Sequence, residues 1–394
     1  MEWLAILRQG IRSKSNDRNR NMSKSVAIIG TRGYPSYYGG FETAVRKLAP
    51  YLVDAGWDVT VYGRPDGVKV DDPDRDPRVR TMFTHGVETK QLSTLSYGLT
   101  STLDATLKKP DVALVMNVAN GFWLPFFKAR GVPTVLNVDG IEWERAKWGE
   151  SAKKVFRMGA RMSAVIANHL VADAQEIQRR WELQTHRKLE FIPYGGDVPS
   201  ELPLPHGVTP GNYALLVARF VPENTIDAFL DAARTIAKTR DVVLVGTAGY
   251  SDPIEEKVRK LVDDEHRVTW LGHVSNDEYL HGLWQNAGVY FHGHSVGGTN
   301  PALVQAMACS APVVARDTVY NREVLNGAAL FVEPDGEAIA EACLKVLDDP
   351  KLRRDLGAKA FARSRSHYSW EQVCHDYEAL LTKAADLGSR HIKF

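Results

Sequence analysis

The stretch SVAIIGTRGYPSYYGGFETAVRKLAPYLVDAGWDVTVY runs from Ser25 to Tyr62. It opens on a short apolar run, Ser25–Gly30, that ends in glycine. Between Phe41 and Ala55, the residues Ala44, Val45, Leu48, Ala49, Leu52 and Val53 recur at the spacing of one helix face. Gly56 stops that helix, and Asp58–Tyr62 is a second strand-like run. A strand, a helix of this length and another strand imply a right-handed crossover between parallel neighbours.

The alternation continues outward. Asp111–Met116 and Thr134–Val138, each directly preceded by a proline, read as strands, and so do Ser163–Ala167 and Leu189–Ile192. Pro193–Pro210, rich in proline and glycine, breaks the pattern and reads as an interdomain linker. Strands restart at Tyr213–Ala218, Val242–Gly246, Val268–Leu271, Val289–His292, Pro312–Ala315 and Ala329–Val332. Helices fit at Thr225–Thr239, Asp252–Asp264, Asp277–Gln285, Pro301–Ala308 and Gly336–Leu347, with a long terminal helix at Trp370–Ala385. The expected plan is a leader over 1–24, Rossmann-like domains over 25–195 and 211–370, and a terminal segment over 371–394 that crosses back to the first domain. Two open parallel sheets facing each other across a cleft bind ligand at the carboxyl ends of their strands.

Composition agrees with an α/β protein of two ordinary domains: 394 residues, 44% hydrophobic, 25% charged, net charge +1. That balance gives no reason to expect nucleic acid. Cys309, Cys343 and Cys374 form no metal pattern or disulfide framework, which suits a reducing cytoplasm. No run of ~20 apolar residues spans a membrane. The leader is basic, with Arg8, Arg12, Lys14, Arg18, Arg20 and Lys24 against Glu2 and Asp17. It reads either as a disordered leader or as a short amphipathic helix resting on anionic lipid.

Four places carry chemistry. Gly30-Thr-Arg-Gly33 and Gly39-Gly40-Phe-Glu42 let backbone approach a ligand at a helix start. This is not the dinucleotide fingerprint, and Tyr62-Gly63-Arg64 lacks the acid that holds an NAD ribose, so a nicotinamide oxidoreductase is the remote alternative. In His292-Gly-His294-Ser-Val-Gly297-Gly298-Thr299-Asn300-Pro301, Asn300 suits an N-cap and Pro301 the first helical position. The amides of Gly298 and Thr299 are then expected at a helix N-terminus, a ready diphosphate site. Arg219, followed by Pro222-Glu223-Asn224, can neutralise a leaving diphosphate or pair with Glu223. Asp139, in Asn137-Val-Asp139-Gly140-Ile-Glu142-Trp143, can face the cleft and act at the sugar, or serve a turn. Asp72-Pro-Asp74 and Asp74-Arg-Asp76 follow no apolar strand, so they read as a solvated loop and no catalytic metal is expected.

These motifs, with Lys147-Trp148 and Ile192-Pro-Tyr-Gly195, resemble the retaining family-four glycosyltransferases of the GT-B fold, most of all their bacterial rhamnosyltransferase subgroup. The resemblance covers Val26 to about Tyr377. It implies an acceptor-side first domain and a second domain that binds a nucleotide sugar as co-substrate, with no cofactor. It further implies dTDP-rhamnose as donor and a lipid-linked saccharide as acceptor, at the inner face of the cell membrane. Asp139, Glu142 and Arg219 are then the expected catalytic residues. Gly39, Gly40, Glu223, Asn224, His294, Gly298, Thr299, Asn300 and Gln305 surround the donor. Gln305 stands where most members carry a ribose-binding glutamate, and it offers one acceptor oxygen in place of two. That departure implies a site that permits dTDP and weakens UDP, or a weakened member serving as a binding subunit. A sugar-nucleotide epimerase shares the architecture and stays open as an alternative.

Overall fold

Ile28, Val61 and Leu114 are wholly buried in neighbouring strands of one parallel sheet that organises the first half of the chain. The computed structural model describes residues 23–37, 39–68, 71–89, 92–145, 148–248 and 253–390. Residues 1–22 of the leader, Lys147 and Asp252 lie outside them.

The first sheet comprises β1 (Ser25–Ile29), β2 (Asp58–Gly63), β3 (Arg80–Phe83), β4 (Val112–Met116), β5 (Thr134–Asn137), β6 (His169–Ala172) and β7 (Glu190–Phe191). Its order is β3-β2-β1-β4-β5-β6-β7. Its helices are α1 (Gly40–Asp54), α2 (Ser93–Lys108), α3 (Leu124–Ala129), α4 (Glu150–Ile166) and α5 (Gln175–Thr185). The second sheet comprises β8 (Tyr213–Val217), β9 (Asp241–Val245), β10 (Val268–Trp270), β11 (Val289–His292), β12 (Val313–Arg316) and β13 (Ala329–Val332), ordered β10-β9-β8-β11-β12-β13. Around it lie α6 (Ile226–Ile236), α7 (Pro253–Asp264), α8 (Asp277–Asn286), α9 (Pro301–Ala308), α10 (Val319–Leu325), α11 (Gly336–Asp348) and α12 (Pro350–His367). Both sheets are parallel throughout, and strand order reverses at β1/β4 and at β8/β11, the places where such sheets bind ligand.

One expectation fails. Ser163–Ala167 is not a strand: α4 runs to Ile166, and the strand follows at His169–Ala172. A short apolar run is ambiguous between a buried strand and the buried side of a helix. Here Ala160, Ser163 and Ala164 are that buried side.

The last helix, α13 (Trp370–Arg390), lies against the first domain. Asn137 Nδ2 donates to Tyr377 Oη at 2.7 Å, and Trp57 Nε1 donates to Glu378 Oε1 at 3.3 Å. A single apolar cluster joins Leu48 and Leu114 of the first domain to Leu215, Val304 and Met307 of the second, through Tyr194, Tyr368 and Leu381. Each fully buried leucine in it contributes about 2 kcal/mol of transfer free energy. The seam is closed by polar contacts too. Glu323 of α10 accepts from the amides of Gln175 (2.7 Å) and Glu176 (3.0 Å) at the start of α5, where a helix dipole favours a carboxylate. Arg46 pairs with Asp277 at 3.2 Å.

Candidate active site

The carboxyl ends of β8, β9 and β11 and the start of α1 enclose a cavity of about 380 Å³ between the domains, within the range of small-molecule sites. Tyr37, Gly39, Gly40, Thr43 and Arg46 form the first-domain wall. Arg219, Asn224, Thr247, His292, His294 and Asn300 stand opposite. The Arg46 guanidinium lies 3.9 Å from the centre of the Tyr37 ring. Gly40 is closely packed: a Cβ there would meet Pro301 Cγ and Tyr194 Cζ, each at 3.2 Å, and they would have to yield by a few tenths of an ångström. The Asn300 side chain accepts from Ala302 N at 2.9 Å and Pro301 begins α9, so this helix opens at the cavity wall.

The Arg219 guanidinium is exposed to the cavity and makes no ion pair among the described residues. The salt bridge to Glu223 is not formed. Glu223 turns inward instead; it is buried, and its Oε1 has no hydrogen-bond partner among the described residues. Asn224 holds the local geometry. Its Nδ2 donates to the Arg219 carbonyl at 2.7 Å, which leaves Oδ1 to face His294 Nδ1, also at 2.7 Å. An amide oxygen only accepts, so the imidazole carries its proton on Nδ1. His292 is buried beneath, with Nδ1 3.0 Å from Tyr290 Oη and Nε2 unpartnered among the described residues. Burial pushes its pKa down to about 3, so it is neutral at physiological pH.

A second group lies on the first-domain side. Asp139 has a left-handed backbone (φ 65°), held by Asn137 Oδ1, which accepts from Asp139 N at 2.8 Å. Asn117 Nδ2 donates to Asp139 Oδ2 at 3.1 Å. Strain at a non-glycine residue persists only where its surroundings over-determine it, and here Tyr377, Asn137 and Asn117 do so. Glu142 is buried, 2.5 Å from Arg145 Nε, and its Oε2 accepts from Trp148 Nε1 at 2.9 Å. Burial alone would weaken the Arg145 cation, but the charges of Glu142, Asp139 and Glu223 outweigh it and hold its pKa above the usual value. Asp173, just after β6, is fully enclosed. Burial, reinforced by the charge of Asp139, raises its pKa well above the carboxylate range.

The sequence of the two halves agrees with this geometry. Residues 206–363 match the family model described as Glycosyl transferases group 1, and residues 39–195 match the Glycosyl transferase 4-like domain. Each match covers about two fifths of the chain, one in each domain. O-antigen chain mannosyltransferase B of Escherichia coli is 28% identical over 164 residues, which is 40% of this chain and 42% of that one. The chain's match thus spans about two fifths of the length of such curated relatives. Sucrose-phosphate synthase from Thermosynechococcus elongatus superimposes with a TM-score of 0.72 at 22% identity, covering 91% of this chain and 98% of that one. Anabaena HepE in complex with UDP-glucose gives 0.70 at 15% identity, covering 91% and 99%. These likenesses place the fold as GT-B, two Rossmann-like domains facing across a cleft.

Around this cavity the sequence motifs divide. Gly39, Gly40, Arg219, Asn224, His294 and Asn300 all reach the cavity. Asp139, Glu142, Glu223, Gly298 and Thr299 do not line it; Gly298 and Thr299 rest on Asp173, and Thr299 Oγ1 donates to the Asp173 carbonyl. Gln305, expected at the ribose, does not line it either. Its Oε1 accepts from Asp197 N at 2.9 Å and its Nε2 donates to Asp197 O at 2.8 Å. A glutamine both donates and accepts, so it can clasp one linker residue's backbone reciprocally, which a carboxylate cannot do. The sequence motifs do not single out Asp173, Arg145, Arg46 or Tyr37. The end of β6 was the one available signal for Asp173, and the misplaced strand hid it.

Proposed function

We propose that this chain transfers a sugar from a nucleoside diphosphate sugar to a saccharide acceptor, without a metal. The observation that carries the reading is Arg219: a cation without an ion-pair partner among the described residues, facing a cavity between two Rossmann-like domains. A guanidinium there stabilises charge that grows on the diphosphate as the C1–O bond breaks. Asn300 and the start of α9 add amide dipoles to the same wall. The acceptor hydroxyl attacks the face the diphosphate leaves, its proton passes to a diphosphate oxygen, and the anomeric configuration is retained. Asp139 lies on the first-domain side, beyond the residues that line the cavity, and its proposed role is to orient the acceptor or steady the cationic sugar. Domain closure excludes water from the donor.

The resemblance favours rhamnose from dTDP-rhamnose and a lipid-linked saccharide acceptor in polysaccharide assembly. A second donor, an activated mannose, is favoured by the name of the Escherichia coli relative. The experiment is turnover with dTDP-rhamnose, GDP-mannose and UDP-glucose in parallel, each with and without EDTA. Metal-independent consumption of dTDP-rhamnose, with its α- or β-configuration kept in the product, is the expected result. Use of GDP-mannose alone replaces the donor, and epimerised sugar without transfer replaces the reaction.

A further inference from the structure

Helices α2, α3 and α4 cover one face of the first sheet. Ala105, Leu124, Phe127, Ala160 and Ala164 tie them to Ile29, Ala113 and Leu136 in one apolar cluster. Their outward positions are apolar as well. Leu107 is 78% exposed, Val165 75% and Met158 49%, and Leu103, Phe126 and Val155 are exposed with them. Exposed apolar side chains gathered on one layer mark an interaction surface.

Cations stand among them. Lys109 ends α2, Lys128 lies in α3, and Lys154, Arg157 and Arg161 run along α4, all exposed. The acids of these helices, Asp104 and Glu150, are already paired with Lys108 at 2.7 Å and Lys153 at 3.0 Å. A chain of net charge +1 has therefore segregated positive charge onto this layer. On α4, Lys154, Met158, Arg161 and Val165 follow at helical spacing and share the face opposite the buried Gly159, Ala160 and Ser163. A face both apolar and cationic fits the boundary between acyl chains and anionic headgroups.

We propose that the α2–α3–α4 layer docks the protein on an anionic lipid bilayer, with Leu107, Phe126, Met158 and Val165 entering the interface. The inference deepens the reading above, because a lipid-linked acceptor is met at a bilayer. Vesicle binding and sugar transfer remain separate readouts.

The test is sedimentation of the full-length protein with phosphatidylcholine vesicles, and with vesicles in which phosphatidylglycerol replaces part of the phosphatidylcholine. The expected result is binding to the anionic vesicles that falls with salt. Each cation near such a surface strengthens binding about fivefold, so K154E/R157E/R161E weakens it more than ~tenfold. Met158→Ser with Val165→Ser weakens it at every salt concentration. Both variants keep the wild-type melting temperature and nucleotide affinity. Equal binding by wild type and both variants overturns the proposal, as does absence of binding. Loss of a dimer in the variants without lipid assigns the face to a second copy and overturns it too. Vesicle binding as predicted with no donor turned over leaves the docking face standing and removes the transferase reading.

Discussion

Gly298 rests directly on Asp173 across the domain seam: a Cβ on Gly298 would lie 1.9 Å from Asp173 Oδ1. Only glycine allows the loop before α9 to approach the end of β6 so closely. Gly298→Ala must part the two surfaces. The variant is expected to fold, show a larger radius of gyration by small-angle scattering, and lose about a hundredfold in kcat/KM, as a small misplacement of reacting groups does.

Asp173 also sets a pH dependence. A carboxyl with a raised folded-state pKa holds its proton more tightly in the folded chain than in the unfolded one. Its contribution to stability is full below the unfolded value, about 3.9, and is lost as pH rises through the folded value. Asp173→Asn keeps the shape and removes the ionisation. The difference in melting temperature, variant minus wild type, should therefore grow more positive from acidic to alkaline pH. A difference that does not vary with pH would show that Asp173 is not held protonated.

Gln305 gives a prediction opposite to that of a ribose ligand. Gln305→Glu sets a carboxylate against the Asp197 carbonyl and removes the donor that now meets it. The expected cost is about 1–3 kcal/mol of stability, the penalty for a buried acceptor left without its partner, with affinities for dTDP and UDP shifted by the same factor. A selective gain in UDP affinity, measured by calorimetry, would return Gln305 to the ribose.

Asn224 positions Arg219 and His294 together. Asn224→Ala frees both, and the expected result is a raised KM for donor with a smaller fall in kcat. An unchanged KM would reduce Asn224 to a structural role.

The parts of this molecule that were legible in sequence are those with local causes. Asn300 and Pro301 mark the start of α9 because capping and a fixed φ act within three residues. Val289–His292 is a short apolar run closed by the glycine of the next turn, and it is β11. Arg80–Phe83 went unread because a four-residue edge strand with one partner carries no full apolar alternation. Pro350–His367 carries basic residues along its exposed sides and little apolar stripe, so α12 leaves only a weak periodic signal. The meeting of Gly298 with Asp173, and of Gln305 with Asp197, depends on how two domains close. Nothing local to either residue encodes it.

In the proposed reaction the interdomain cavity holds a diphosphate against Arg219. Calorimetric titration of dTDP into the wild type and into Arg219→Ala, at matched melting temperatures, tests it most directly. The expected result is binding by the wild type and a loss of roughly tenfold or more in the variant, the scale of one charged hydrogen bond of about 1.5–3 kcal/mol. Equal affinity in both proteins would contradict it.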